Sequence, residues 1–276
     1  MQTSERLLDA AIGAAIEAGE AIMQVYTSPE TDWGVERKAD NSPLTLADKK
    51  AHAAIESRLA SLDIPMLSEE GAHAAYEIRR CWTQLWVVDP LDGTKEFLKR
   101  NGEFTVNIAL VCEGVPMMGV IFVPVSRTLY WGVCHEDGSG EACKVAEVPA
   151  GAYSYAEVAG LAHSLPFPTD ERPYTAVASR SHLSPETQEF IDELRAEHPD
   201  LELRSAGSSL KICLVAEGSA DVYPRFAPTM EWDTAAGELI LLEAGGTTYA
   251  YPTGEKLQYN KEILDNPWFV ARREER

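Results

Sequence analysis

Apolar residues recur at helical spacing near the start of the chain. Leu7, Leu8, Ala11, Ile12, Ala15, Ile16 and Ile22 predict an amphipathic helix over residues 4–26. A polar, turn-rich stretch fills 28–43, and a second helix is expected over 46–62, with Thr45 as its N-cap. A short apolar segment at 65–68 ends in Glu69-Glu70-Gly71. The compact apolar run at 85–88 predicts a buried strand leading directly into Asp89-Pro90-Leu91-Asp92-Gly93-Thr94. Three more strand-like runs, 105–111, 117–123 and 128–133, are separated by Glu113-Gly114 and Pro124 and predict a mostly antiparallel meander.

Composition turns loop-like over 146–172, with Pro149, Gly151, Pro166, Phe167 and Pro168. This places the expected boundary between an N-terminal half, 1–150, and a C-terminal half, 151–276. The second half alternates: strand at 174–178, helix opening at Ser184 with Pro185 in its first turn, strand at 201–204, helix at 208–217, strand at 221–225. A strong helix over 234–244 is stopped by Gly245-Gly246, and a strand follows at 247–251. The expected class is α/β, with an α+β first half and an α/β second half. The chain has no internal repeat and no low-complexity tract.

The 276 residues, 45% of them apolar, are enough to bury a large core. The net charge of −20, from 44 acidic and 24 basic residues, repels polyanions, so a nucleic-acid duplex is not an expected partner. Any anionic ligand must be drawn in by a local positive centre, a basic pocket or bound metal; the general acidity equally serves solubility. Five widely spaced cysteines (Cys81, Cys112, Cys134, Cys143, Cys213) form no CxxC or Cys/His cluster, which argues against a zinc site or disulfide framework and for a reducing compartment. The N-terminal residues lack signal-peptide character, and no window reaches eighteen uncharged apolar residues. A cytoplasmic protein is expected.

The chemistry-bearing residues are carboxylates. Asp89 and Asp92 follow a buried strand, with Pro90 fixing the backbone between them and Gly93 permitting a sharp turn. Two such charges at close range repel unless a cation lies between them, and hard divalent ions favour oxygen ligands, backbone carbonyls included. An Asx turn capping backbone amides fits the same motif. Asp233, ahead of the predicted 234–244 helix, is either a further ligand or an N-cap. Glu69 and Glu70 are either ligands or solvated loop residues. Thr45-Leu46-Ala47-Asp48 fits a capping box, which would hold the Asp48 carboxylate still for a water-orienting role.

The joint pattern carries more. Trp86-Val87-Val88-Asp89-Pro90-Leu91-Asp92-Gly93-Thr94 followed by Glu231-Trp232-Asp233-Thr234-Ala235-Ala236-Gly237 resembles the paired signature of the inositol-monophosphatase-like, lithium-sensitive phosphatases. The likeness runs from about Leu7 to Ala271. It implies a layered αβαβα sandwich and a site for two or three Mg²⁺ ions. Within that superfamily, the stretch from Thr94-Lys95-Glu96-Phe97 to Asn107 resembles the bacterial 3′(2′),5′-bisphosphate nucleotidases of sulfur assimilation, the CysQ type. So do Lys38-Ala39-Asp40-Asn41-Ser42-Pro43-Leu44-Thr45 and Gly207-Ser208-Ser209-Leu210-Lys211.

Carried over residue by residue, the resemblance implies Glu69, Asp89, Asp92 and Asp233 as metal ligands, with the Leu91 carbonyl as a backbone ligand and Glu70 as second choice in its doublet. Asp48 and Thr94 would activate the attacking water. Gly93 and Thr94, leading into a helix, would meet the scissile phosphate, with Asp233 also near the substrate. Lys211, Arg225, Ser208 and Ser209 would hold a second phosphate, and His182 would lie against the base. The implied reaction is Mg²⁺-dependent hydrolysis of adenosine 3′,5′-bisphosphate to AMP, and of its sulfated relative likewise. Inositol monophosphate and fructose 1,6-bisphosphate are the alternative substrates.

Overall fold

The computed structural model describes residues 4–38, 43–135, 137–168, 172–179 and 184–273. Helix α1 (Ser4–Tyr26) carries the predicted apolar face inward, from Leu7 to Val25. Helix α2 (Leu46–Leu59) opens at Thr45 and runs on through a 3₁₀ turn (Ala60–Leu62). Between them, β1 (Glu36–Arg37) and β2 (Pro43–Leu44) form a short antiparallel ribbon.

The first large sheet has seven strands in chain order: β3 (Met66–Ser68), β4 (Gln84–Asp92), β5 (Thr105–Cys112), β6 (Val115–Val123), β7 (Thr128–Cys134), β8 (Gly140–Val145) and β9 (His163–Ser164). Only the β3–β4 pair is parallel. Short helices α3 (Tyr76–Arg79), α4 (Thr94–Leu98) and α5 (Tyr155–Val158) punctuate its connections. The second sheet has five strands in the order β11-β10-β12-β14-β13. These are β10 (Thr175–Ser179), β11 (Glu202–Ala206), β12 (Val222–Arg225), β13 (Gly246–Ala250) and β14 (Phe269–Arg273). Helices α6 (Pro185–Glu197), α7 (Leu210–Ala216) and α8 (Glu231–Glu243) complete the chain.

Side-chain alternation assigns the layers. On β4, Trp86 and Val88 face one core with α1 and α2, while Leu85 and Val87 face a second core with α7 and α8. A strand buried on both faces reads as an unbroken apolar run, which is how 85–88 appears in sequence. Tyr223, Phe269 and Ala271 of the five-stranded sheet close the second core from the far side, and Phe190 and Leu194 of α6 cover that sheet's outer face against Ala176, Val222 and Phe226. The order of layers is helix, sheet, helix, sheet, helix, as expected.

Helix α8 lies unusually close to the seven-stranded sheet because the sheet presents small residues beneath it. Ala109, Gly119, Gly132 and Ala142 are register partners across four adjacent strands. A Cβ on Gly119 would come within 2.3 Å of the Ala236 carbonyl oxygen, and one on Gly132 within 2.9 Å of the Ile240 Cα. Glycine within a strand marks such backbone approach.

Several boundaries differ from the sequence reading. The β4 strand continues through Asp92, with an irregularity between Asp89 and Asp92, so the two aspartates lie within the strand's end rather than after it. The β1–β2 ribbon, strands β8, β9 and β14 and helices α3 and α5 have no counterpart among the expected elements. Helix α8 starts at Glu231, three residues before the predicted start, so Asp233 occupies the third helical position and is not the N-cap. The early start is held from outside: the fully buried Glu231 carboxylate accepts hydrogen bonds from the Asn260 amide (2.6 Å), the Lys261 amide (3.0 Å) and the Lys261 ammonium (2.6 Å). Apolar periodicity registers none of these contacts.

Candidate metal and phosphate site

Three elements converge at the C-terminal end of β4. Asp89 and Asp92 come from β4 itself, Asp233 from the first turn of α8, and one carboxylate oxygen of each lies within 4.8 Å of the others. Glu69, just past β3, reaches the same place: its amide donates to the Val88 carbonyl (3.1 Å), and its carboxyl neighbours that of Asp89. Four carboxylates from three stretches of sequence thus form one acidic cluster.

Each member is fixed by contacts of its own. Asp89 Oδ1 accepts the Leu91 amide at 3.0 Å, the Asx-turn contact the motif allows. Asp233 Oδ2 accepts the Met230 amide at 2.9 Å, capping α8 from its third position. Asp92 Oδ2 accepts from the Ser209 amide (2.6 Å), the Ser209 hydroxyl (2.7 Å) and Asn107 Nδ2 (3.3 Å), while Oδ1 takes no hydrogen bond among the described residues. Ser208 holds a φ of 45°, and this left-handed turn brings Ser209 round to face Asp92.

Burial and mutual repulsion act together on these acids. Burial, reinforced by Glu69, Asp92 and Asp233, raises the Asp89 pKa well above the ordinary carboxylate range. Burial likewise raises Glu69, and with the neighbouring Asp92 charge pushes Asp233 up to about 7. Such a cluster is poorly stable as bare anions. Its donor set is all oxygen, without cysteine or histidine, and suits a hard divalent cation rather than zinc or a soft metal.

Lys38 supplies a positive charge at the rim. Its ammonium donates to Glu69 Oε1 at 2.7 Å and Glu70 Oε1 at 2.5 Å. Burial works against that charge, but the two glutamates outweigh it and hold the pKa above the ordinary lysine value. Lys38 belongs to a motif of the resemblance, which implies no role for it.

Asp48 sits beside the cluster as the capping box requires. Its Oδ2 accepts from the Thr45 amide (2.7 Å) and hydroxyl (2.6 Å), and its Oδ1 accepts from the Thr94 hydroxyl at 3.3 Å. Burial pushes Asp48 up to about 6. Thr94 opens α4, which follows Gly93; that glycine has a φ of 95°, and a Cβ there would lie 3.2 Å from the Glu103 carbonyl oxygen. With only five residues, α4 is a single turn rather than a long anion-binding helix.

A cleft of about 200 Å³ opens beside these groups and is lined also by Ser208, Ser209, Lys211, Tyr223 and Arg225. The Lys211 ammonium donates to the Ser208 carbonyl (2.5 Å) and the Ala206 carbonyl (3.4 Å) and lies over the Tyr223 ring. Burial, with Arg225 nearby, lowers its pKa to about 8. Arg225 Nη2 donates to the Pro228 carbonyl at 3.0 Å, while its buried Nε has no partner among the described residues. His182 lies outside the described residues.

Comparison with known proteins adds what geometry cannot. Residues 3–272 match the inositol monophosphatase family. The chain belongs to that family. Among its relatives is the 3′(2′),5′-bisphosphate nucleotidase CysQ of Escherichia coli (strain K12), 44% identical over 266 residues, 95% of this chain and 98% of that protein. The protein of the same name from Haemophilus influenzae is 32% identical over 273 residues, 97% of this chain and 93% of that one. The crystal structure of CysQ from Bacteroides thetaiotaomicron, a bacterial member of the family, superposes with a TM-score of 0.87 at 50% identity and covers 99% of each chain. The layered fold derived above is the family's. Among the described residues no helix is long and apolar enough to cross a membrane.

Proposed function

We propose that the protein is a divalent-cation-dependent 3′(2′),5′-bisphosphate nucleotidase. It hydrolyses adenosine 3′,5′-bisphosphate to AMP and phosphate, and converts the sulfated relative, 3′-phosphoadenylyl sulfate, to adenylyl sulfate. The observation that carries this reading is the meeting of Asp89, Asp92 and Asp233 within 4.8 Å, beside a cleft that Asp92 and Asp233 line together with Lys211 and Arg225. The carboxylates suit cations that take a scissile phosphate, and the lysine and arginine suit a second phosphate. The high identity to nucleotidases named CysQ supports the same substrate.

In this reading residues 1–150 supply Glu69, Asp89, the Leu91 carbonyl and Asp92, and residues 151–276 supply Asp233 and the cations for the second phosphate. These ligands would hold Mg²⁺, two or three ions in all. When bound, the ions neutralise phosphate charge and acidify water at the reacting centre. The chain's own residues align the reaction. Asp48 Oδ1 and the Thr94 hydroxyl hold the attacking water, and Asp48 takes its proton as the new P–O bond forms and the ester P–O bond breaks. The leaving alkoxide ends as the ribose hydroxyl after taking a proton from solvent. A carboxylate with a pKa near 6 is a better base than an exposed one, and the Thr45 cap keeps it from turning away. Lys211 and Arg225 hold the second phosphate and so set the position of the first. The five unpaired cysteines suit a cytoplasmic setting.

A substrate panel read as free phosphate tests the assignment. Adenosine 3′,5′-bisphosphate should exceed inositol 1-phosphate and fructose 1,6-bisphosphate in kcat/KM by on the order of 100-fold, because a site with polar groups placed for a nucleotide's second phosphate rejects substrates that do not present one there. Comparable turnover of inositol 1-phosphate would overturn it.

A further inference from the structure

Ser209, which the resemblance places among substrate contacts and which lines the cleft, also bonds to the metal-site carboxylate of Asp92. Its amide and hydroxyl both reach Asp92 Oδ2, at 2.6 and 2.7 Å, and the hydroxyl also lies 2.8 Å from the Asp233 carbonyl oxygen. The hydroxyl has one proton to give and accepts one in return, from Asn107 Nδ2 at 2.8 Å. Asn107 Nδ2 also points at Asp92 Oδ2, at 3.3 Å. The orientation of that amide is fixed from behind, because Asn107 Oδ1 accepts the Thr105 hydroxyl at 2.9 Å. The opposite flip would set the amide oxygen against the Asp92 carboxylate. Ser209 and Asn107 are both buried, at 3% and 1% exposure, so solvent does not compete for these bonds.

We infer that Asn107 and Ser209 form a positioning relay for Asp92, binding one carboxylate oxygen so that the other is presented to a divalent cation, and that Ser209 also ties Asp92 to the α8 turn carrying Asp233. This deepens the proposed function and rests on it. The relay spans three elements: β5 supplies Thr105 and Asn107, the turn before α7 supplies Ser209, and β4 supplies Asp92. Fixing the spent oxygen fixes the rotamer, and the orienting partners of ligand carboxylates typically govern metal affinity by about 10–100-fold. The sequence offers a signal in retrospect: Asn107 interrupts the otherwise apolar run Thr105–Cys112, and a buried amide within a strand needs a polar reason to be there.

The test measures binding of Mn²⁺ alone, by the loss of its free-ion electron spin resonance signal, to wild type, Ser209→Ala, Asn107→Ala and Asp92→Asn, with thermal melts recorded on each. Ser209→Ala keeps the amide bond to Asp92, so its Mn²⁺ dissociation constant should rise by about 10-fold, the lower end of the orienting-partner range. Asn107→Ala should also weaken binding, and at saturating Mg²⁺ the KM of Ser209→Ala for adenosine 3′,5′-bisphosphate should stay within about twofold of wild type. Unchanged Mn²⁺ affinity in Ser209→Ala, or a raised KM with metal affinity intact, would overturn the inference. If Ser209→Ala does not fold, Asn107→Ala decides alone, and wild-type Mn²⁺ affinity there overturns it. Wild-type affinity in Asp92→Asn would instead remove the metal reading of the site itself.

Discussion

Gly119 on β6 and Ala236 on α8 are in backbone contact: a Cβ added to the glycine would lie 2.3 Å from the alanine carbonyl oxygen. The contact sits one helical turn after Asp233. The height of α8 above the sheet, and therefore the distance of Asp233 from Asp89 and Asp92 on the same sheet, is set by a glycine with no chemistry of its own.

Gly119→Ala should accordingly cost stability and disturb the site together. Backbone atoms cannot yield as a flexible side chain would, so the loss should fall at or above about 3 kcal/mol, the upper end for overpacked cores. Denaturant unfolding should show a lower midpoint, and the Mg²⁺ concentration for half-maximal activity should rise. An unchanged midpoint would contradict the packing argument.

Lys38 predicts a second behaviour. Its ammonium neutralises Glu69 and Glu70, so metal arriving at Glu69 meets a resident positive charge. Lys38→Met should lower the melting temperature in chelator, because two partly buried glutamates lose their partner. It should also enlarge the upward shift produced by saturating Mg²⁺, since a ligand stabilises most where the free state is least satisfied. Equal shifts in variant and wild type would show that Lys38 and metal do not compete.

Lys211 and Arg225 govern the choice of substrate. Alanine at either position should lower the preference for adenosine 3′,5′-bisphosphate over 3′-AMP, measured as the ratio of kcat/KM values. The fall should be by about 10-fold or more, the worth of one charged hydrogen bond. A ratio equal to that of wild type in both variants would place the second phosphate elsewhere.

Glu238 carries a pH signature distinct from the reaction. Burial pushes this α8 carboxyl up to about 7, against Lys256 and Lys261, which act to lower it, as does the Tyr259 hydroxyl that donates to it. Since the folded pKa exceeds the unfolded value of 4.5, the folded protein binds the extra proton between these two pH values. Stability therefore falls as pH rises from 4.5 toward 7, and the loss is complete above that. Glu238→Gln removes the titration. Its stability relative to wild type should grow across this window, by up to about 3 kcal/mol, read by denaturant melts at pH 5, 6 and 8. Parallel curves would contradict the shift.

The sequence was most informative where local rules suffice. The periodicity of residues 4–26 matches α1 to the residue, the Thr45 capping box forms as read, and Pro185 marks the first turn of α6. The carboxylates of β4 were visible because proline and glycine in Asp-Pro-Leu-Asp-Gly constrain the chain locally. The lost features depend on distant partners. The start of α8 is fixed by Glu231 meeting Asn260 and Lys261, and β14 has little pattern of its own because it is held between β12 and β13. Strand β8, with Gly140, Glu141 and Lys144, carries no apolar run to mark it and pairs because β7 and β9 flank it. The ligand set came from resemblance, since no spacing rule brings residue 92 beside residues 209 and 233. Asn107 and Lys38 went unassigned for that reason, as each acts only through a residue far away in sequence.

The most direct measurement is phosphate release from adenosine 3′,5′-bisphosphate by wild type and Asp92→Asn, each with Mg²⁺ and with the metal chelated. Wild type with Mg²⁺ should be active. Chelation and the substitution should each reduce the rate by more than the roughly 100-fold that losing an orienting partner produces, and added Mg²⁺ should restore only the wild type. Full activity in chelator, or in Asp92→Asn, would contradict an account in which these carboxylates work by holding divalent ions against a phosphate.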